Sequence, residues 1–268
     1  MTVFSWLSQA EIMLRKNNIQ SARLDCLMML EFVLGQNRAN ILAGQDLMLK
    51  NHQLLSLNKL LKKRASHYPM AYLLNNKEFY GRQFFVNESV LIPRPESEAF
   101  IDLLKKHQTD IKNLVDVGTG SGCLAISAKL ELPDITVEAC DIMPGSLKIA
   151  QKNADNLQAD IHFFKSDLLL NTSKRYDGVF ANLPYVPKSL LVEKDLSYEP
   201  QSALFAEQNG LSLIKRLIAS LPKKLNSNGL FFCESLKIQH AEVADFAKGM
   251  NLTLINTEGL VQLFKNNN

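Results

Sequence analysis

Asp116-Val117-Gly118-Thr119-Gly120-Ser121-Gly122 closes the apolar run 113–117 and opens the amphipathic stretch 121–131. Glycines at alternate positions permit positive φ and let a ligand approach the backbone. A strand running through such a turn into a helix is the opening unit of a doubly wound α/β sheet. In these sheets ligands bind beyond the carboxyl ends of the strands, at the switch in strand order. The spacing is G-x-G-x-G, not the G-x-G-x-x-G of a dinucleotide fingerprint, which weakens a phosphate-cradling role. No Gly-Lys-Ser/Thr follows, which excludes a Walker A loop.

On the C-terminal side, short apolar runs alternate with helix-length amphipathic stretches. Strands are predicted at Asn113–Val117, Thr136–Asp141, Ile161–Lys165, Gly178–Asn182 and Gly229–Glu234, with helices near 121–131, 144–156, 208–220 and 237–248. Two further strands, Thr253–Asn256 and Val261–Lys265, close a hairpin around Glu258-Gly259 and force one strand antiparallel. The fold class is therefore α/β, a mostly parallel, doubly wound sheet covered on both faces. On the N-terminal side, a helix from about Ser97 to His107 follows the rigid Ile92-Pro93-Arg94-Pro95-Glu96. Before that, Glu78-Phe79-Tyr80 and Phe84-Phe85-Val86 flank Gly81-Arg82-Gln83 as a β-hairpin.

The first 68 residues lack proline altogether, so helical periodicity governs them. Phe4, Leu7, Ile12 and Leu14 predict one helix opened by Thr2 or Ser5. Leu24, Leu27, Met28, Leu30 and Val33 predict a second between Ser21 and Gly35, and Leu54, Leu57, Leu60 and Leu61 a third, ended near Pro69. Three parts result: a helical bundle over 1–70, a hairpin linker over 71–90 and the α/β domain over 91–268.

Composition narrows the functional classes. Hydrophobic residues make up 46% and charged ones 21%, the make-up of a globular chain. The apolar run Cys26–Leu30 falls far short of the roughly 20 residues a membrane span needs. No apolar stretch follows the first basic residue, Arg15, so no secretory leader is expected. Cys26, Cys123, Cys140 and Cys233 show neither metal-ligand spacing nor a disulfide framework, which points to a reduced, cytoplasmic compartment and to no metal. Net charge is +3, yet residues 1–70 carry nine Lys/Arg against four Asp/Glu, and the remaining 198 carry 21 against 23. The asymmetry hints that the bundle meets something acidic, or that Lys59, Lys62, Lys63 and Arg64 form a solvated helix face.

Four groups carry candidate chemistry, each after a successive strand. The glycine turn is the first. Asp141 ends the second strand, where a carboxylate can accept both hydroxyls of a ribose or cap the helix beginning near Pro144. Asp167, after the third, can accept from an exocyclic adenine amine or stabilise a turn. Asn182-Leu183-Pro184-Tyr185, after the fourth, presents an amide, a backbone carbonyl and an aromatic ring on a proline-stiffened turn, a group suited to a planar amide or amino-heterocycle.

These ordered motifs resemble those of class I S-adenosylmethionine-dependent methyltransferases. Three more stretches resemble the peptide chain release factor glutamine methyltransferases (PrmC/HemK type). They are Ala71-Tyr72-Leu73 with Glu78-Phe79-Tyr80-Gly81, Leu91-Ile92-Pro93-Arg94-Pro95-Glu96, and Glu199-Pro200 with Ala203-Leu204 and Asn209-Gly210-Leu211. The resemblance implies a seven-stranded Rossmann-like sheet, an N-terminal helical domain for substrate recognition, and a hairpin linker. It further implies methyl transfer to the glutamine amide in a Gly-Gly-Gln loop of class I release factors. Carried over by position, Gly118, Thr119, Gly120, Ser121 and Gly122 approach the methionyl part of S-adenosylmethionine. Asp141 takes the ribose, Asp167 and Leu168 border the adenine, and Asn182 with the Leu183 carbonyl holds the glutamine NH₂, with Tyr185 packing beside it after Pro184. The partner implied is a release factor, with no direct nucleic-acid contact, no membrane and a monomeric chain.

Two departures stand out. The family usually has Asn-Pro-Pro-Tyr where this chain has Leu183. Asn-Leu-Pro-Tyr also resembles the motif of ribosomal RNA adenine dimethyltransferases. Phe232, Glu234 and Ser235 replace the more glycine-rich ending expected after the fifth strand. An adenine-N6 methyltransferase acting on RNA or DNA, and a non-catalytic S-adenosylmethionine-binding module, therefore stand as alternatives.

Overall fold

Proline-free amphipathic segments at the start of the chain give way to buried strands, and the structure separates the two. A computed structural model describes residues 1–44, 46–107, 111–189 and 194–268. Two units result: Met1–Asn76 with Glu193–Tyr198, and Lys77–Val192 with Glu199–Asn268.

The first unit contains helices α1 (Val3–Lys16), α2 (Ala22–Leu34), α3 (Arg38–Ala43), α4 (Asn51–Ala65) and α5 (Met70–Leu74). Thr2 opens α1, its Oγ1 accepting from the Ser5 N–H at 3.1 Å, and Gly35, with φ of 63°, closes α2. The buried face of α1 is Val3, Trp6, Leu7, Ala10 and Leu14. Phe4 and Ile12, expected on that face, are each 55% exposed, because the i, i+3, i+4 spacing runs through Val3 and Trp6 instead. Arg64 likewise leaves the expected solvated face. It is buried, and its Nε donates to Asp25 Oδ2 at 2.7 Å, while Lys59, Lys62 and Lys63 remain exposed. The Tyr198 hydroxyl donates to the Ser66 carbonyl at 2.8 Å and its ring meets Tyr68 edge-on, which ties the returning segment to this unit.

The second unit opens with strands β1 (Lys77–Phe79) and β2 (Arg82–Phe84). Their turn is Tyr80-Gly81, with φ of 49° and 72°, the doubly left-handed turn that matches strand twist. Phe79 and Phe84 are fully buried in this unit's core. The stretch 71–90 is thus divided: α5 belongs with the bundle and the hairpin with the sheet. There follow α6 (Ala99–Lys106), β3 (Asn113–Val117), α7 (Cys123–Glu131), β4 (Thr136–Asp141), α8 (Pro144–Leu157), β5 (His162–Lys165) and β6 (Tyr176–Ala181). Next come a two-residue strand β7 (Val186–Pro187), α9 (Gln201–Leu204) and its partner strand β8 (Phe205–Ala206), then α10 (Ser212–Lys224), β9 (Leu225–Glu234), α11 (His240–Lys248), β10 (Leu252–Glu258) and β11 (Val261–Asn266).

Seven strands form one sheet in the order β10-β11-β9-β6-β3-β4-β5. β11 runs antiparallel to both neighbours, and the remaining pairs are parallel. Side chains alternate between two cores. Leu230 and Phe232 join Phe100, Ile101 and Leu124 from α6 and α7, while Phe231 and Cys233 join Ile214, Leu217 and Val243 from α10 and α11. Burial on both faces explains the continuous apolar runs of the parallel strands. The order reverses between β3 and β6, so the loops after β3, β4, β5 and β6 open at one edge around that switch point. No helix among the described residues is long and apolar enough to cross a membrane.

Candidate active site

The three glycines after β3 serve three different purposes. Gly118, Gly120 and Gly122 have φ of 76°, 55° and 80°, all left-handed. The Gly118 and Thr119 N–H groups donate to the Cys140 carbonyl at 2.8 and 3.0 Å, which pins the turn to β4. A Cβ on Gly118 would stand 2.8 Å from Leu183 Cδ2, whereas one on Gly120 would meet nothing within 4 Å. One on Gly122 would press on Ile126 and Ala150 at 3.0–3.2 Å, so this glycine permits close packing of α7 on α8. Gly118, Thr119, Gly120 and Ser121 line a cavity of about 510 Å³; Gly122 is not part of its wall. Gly122→Ala is therefore expected to lower the unfolding free energy by about 2 kcal/mol, from left-handed strain plus overpacking. A denaturant titration with an unmoved midpoint would contradict this packing account.

Asp116 is the penultimate residue of β3, and Asp141 ends β4. Asp116 Oδ2 accepts from the Thr119 hydroxyl at 2.7 Å, and its Oδ1 is buried without a hydrogen-bond partner among the described residues. Burial pushes its carboxyl up to about 7 against the pull of Thr119, and the Asp141 charge adds to the rise. Asp141 Oδ2 accepts from the Gly120 N–H at 3.0 Å and Oδ1 from the Met143 N–H at 2.8 Å. It thus fixes the glycine turn and the approach to α8 together. Burial raises its pKa while the Met143 and Gly120 N–H groups lower it. Asp167 and Leu168 form the next part of the wall, with Asp167 Oδ2 accepting from Arg216 at 2.8 Å. Leu168 holds φ of 50°, and its carbonyl accepts from Cys140 Sγ at 3.3 Å.

Asn182, Leu183 and Pro184 complete that wall after β6. Asn182 Nδ2 donates to Ser97 Oγ at 2.8 Å and to Glu234 Oε2 at 3.0 Å, so its hydrogens are spent on the protein and Oδ1 is left as an acceptor. Tyr185 stands outside the cavity wall; its hydroxyl donates to Glu234 Oε1 at 2.7 Å. Its carbonyl passes so close to Gly210 that a Cβ there would sit 2.0 Å away, the reason Asn209-Gly210-Leu211 carries a glycine.

Sequence reasoning did not assign Pro93, Arg94, Ser97, Glu199 or Glu234. The first three line the cavity or, in the case of Ser97, also hold Asn182. Arg94 donates to Glu199 Oε1 at 2.5 Å, and Glu199 Oε2 accepts from the Ile92 N–H at 2.9 Å. The signal for them was the rigid Ile92–Glu96 motif itself. For Glu234 it was position, at the carboxyl end of a parallel strand beside β6.

Residues 95–196 match the methyltransferase small domain, and residues 5–74 match the PrmC N-terminal domain. The release factor glutamine methyltransferase of Leptospira interrogans is 34% identical over 249 residues, covering 88% of this chain and 86% of its own. That of Buchnera aphidicola is 31% identical over 262 residues, covering 96% and 94%. Among solved structures, the hMettl16 catalytic domain in complex with a MAT2A 3′UTR hairpin shares the fold with a TM-score of 0.55, at 17% identity over 85% of each chain. Sequence likeness over nearly the whole chain, on top of this site, places it: the chain belongs to the release factor glutamine methyltransferase family.

Proposed function

We propose that the chain transfers a methyl group from S-adenosylmethionine to the side-chain amide nitrogen of the glutamine in the Gly-Gly-Gln motif of class I release factors. The observation that carries this reading is Asn182, held by Ser97 and Glu234 with its Oδ1 left to accept. The cavity fits the cofactor. Gly120 leaves open space where a Cβ would stand, and Asp141 ends β4 in the wall. Gly118 to Ser121 would meet the methionyl part, Asp141 the ribose hydroxyls, and Asp167 with Leu168 the adenine. S-adenosylmethionine supplies a methyl on a sulfonium sulfur, a leaving group that requires no activating side chain.

The work of the protein is then positioning. An amide nitrogen is a poor nucleophile because its lone pair is delocalised into the carbonyl. Asn182 Oδ1 and the Leu183 carbonyl accept from its hydrogens, raise electron density on nitrogen and hold it in line for transfer. Orientation of this kind is worth about 7–11 kcal/mol in well-aligned cases. Leu183, where the family has proline, is 5% exposed and packs on Gly118, which steadies the carbonyl by side-chain contact in place of a ring. The test is incubation with radiolabelled S-adenosylmethionine, release factor and ribosomal RNA together. Label on the glutamine-bearing peptide is expected. Label in RNA would transfer the reading to adenine, and binding without label in either would leave a binding module.

The basic bundle serves the same acceptor. Exposed Lys59, Lys62 and Lys63 grip an acidic release-factor surface away from the chemistry, and the chain acts as a cytoplasmic monomer without touching nucleic acid itself. Reversing these three charges is expected to raise KM for release factor several-fold at unchanged kcat, since only uniform binding is removed. The effect should shrink with added salt, the Debye length being about 8 Å at physiological strength. Steady-state kinetics across a salt series checks it; a fall in kcat at constant KM would oppose it.

A further inference from the structure

Glu234 ends β9, is 1% exposed and faces no solvent, yet it gathers donors from separate segments of the larger unit. Its Oε2 accepts from Ser97 Oγ at 2.6 Å, in the turn before α6, and from Asn182 Nδ2 at 3.0 Å, after β6. Its Oε1 accepts from the Tyr185 hydroxyl at 2.7 Å. Ser97 Oγ in turn accepts from Asn182 Nδ2 at 2.8 Å, so the carboxylate and the hydroxyl together enclose one amide NH₂ group.

An asparagine amide can sit in either of two orientations that exchange its oxygen for its NH₂ with almost no change in shape. Only one of them can serve an acceptor amide. With Oδ1 toward the cavity, Asn182 accepts from the substrate NH₂; reversed, it would set a donor against a donor. Nothing in asparagine itself chooses. An ionised carboxylate does, because it accepts only and repels an amide oxygen. We propose that Glu234 is a positioning residue which, as a carboxylate, sets the orientation of the Asn182 amide and so presents Oδ1 to the acceptor glutamine. This rests on the role given to Asn182 above.

The surroundings add a pH signature. Burial raises the Glu234 pKa first of all, the Ser97 and Tyr185 hydroxyls lower it, and the charges of Glu96 and Arg94 act in opposite senses. Cys233 beside it and Cys123 on α7 are held up by burial, Cys123 to about 12, and remain neutral thiols. Tyr185 is raised as well, chiefly by burial, and stays a donor. Protonating Glu234 would place a fourth hydrogen among three donors and release the amide. Because the carboxyl is raised, kcat should begin to fall at a higher pH than an ordinary carboxylate would impose, losing activity as pH decreases.

The experiment uses the full chain with release factor and S-adenosylmethionine. Glu234→Gln is expected to lower kcat about 10²-fold, the scale of a misplaced reacting group. KM and cofactor affinity should stay within a few fold, and the acid limb of kcat should vanish. Glu234→Asp, which keeps the charge on a shorter arm, should recover part of the rate and retain the limb; Ser97→Ala, with its milder loss, serves should Glu234→Gln not fold. In an Asn182→Ala background, Glu234→Gln should add nothing. Multiplying effects in that double variant, or an acid limb unchanged in Glu234→Gln, would overturn the proposal while leaving the role of Asn182 intact. Full turnover in Asn182→Ala alone would instead strike the underlying reading.

Discussion

Asn182→Ala is expected to lower kcat for release factor methylation about 10²–10³-fold, the loss typical of one preorganised polar group. The dissociation constant for S-adenosylmethionine should stay within a few fold. The two halves follow from geometry. Nδ2 is committed to Ser97 and Glu234, inside the protein, and only Oδ1 is left to accept at the cavity wall. As the new bond to nitrogen forms, the acceptor N–H groups become more acidic, so an acceptor held at Oδ1 interacts more strongly in the transition state than before it. Such an interaction appears in kcat rather than in binding. Single-turnover kinetics at saturating release factor gives the first number and calorimetry the second. A collapse in cofactor affinity with turnover near wild type would reassign Asn182 to the cofactor.

What the sequence shows, and what it hides, follows from how each feature is encoded. β3 and β4 are legible to the residue because a buried run ends in glycines or a carboxylate at the point where the backbone must turn. α7 begins at Cys123, not at Ser121, because Gly122 takes a left-handed cap. The helix expected from 208 starts at Ser212. Gln208, Asn209 and Gly210 all hold positive φ, and Gly210 yields to the Tyr185 carbonyl, a contact with no local signature. β9 begins at Leu225, four residues earlier than expected. Asn228 and Gly229 look like a turn, yet they are carried within the strand, where its register with β6 shifts. The order of the candidate site is legible for the same reason as the strands: each group follows a strand end. Its support is not. Ser97, Glu199 and Glu234 come from segments far apart in sequence, and a buried glutamate looks like a departure until its donors are seen around it.

Asp141→Ala is expected to weaken S-adenosylmethionine binding by about 1.5–3 kcal/mol, the range for removing a charged hydrogen-bond partner. The carboxylate does two things at once. It is the acceptor at the carboxyl end of β4, where a ribose is held in sheets of this kind. It also receives the Gly120 N–H at 3.0 Å and the Met143 N–H at 2.8 Å, joining the glycine turn to the start of α8. Truncation would therefore remove the proposed ribose acceptor and leave two backbone donors to be satisfied by water beside the cavity. Asp141→Asn separates these effects. The amide keeps one oxygen for a backbone donor but offers an NH₂ where an acceptor is needed, so affinity should fall while the turn holds. Calorimetry on both folded variants measures the losses, with unfolding midpoints to report the turn. An Asp141→Ala protein that folds and binds S-adenosylmethionine with unchanged affinity would place the ribose elsewhere, and the assignment of the β4 carboxylate would have to be given up.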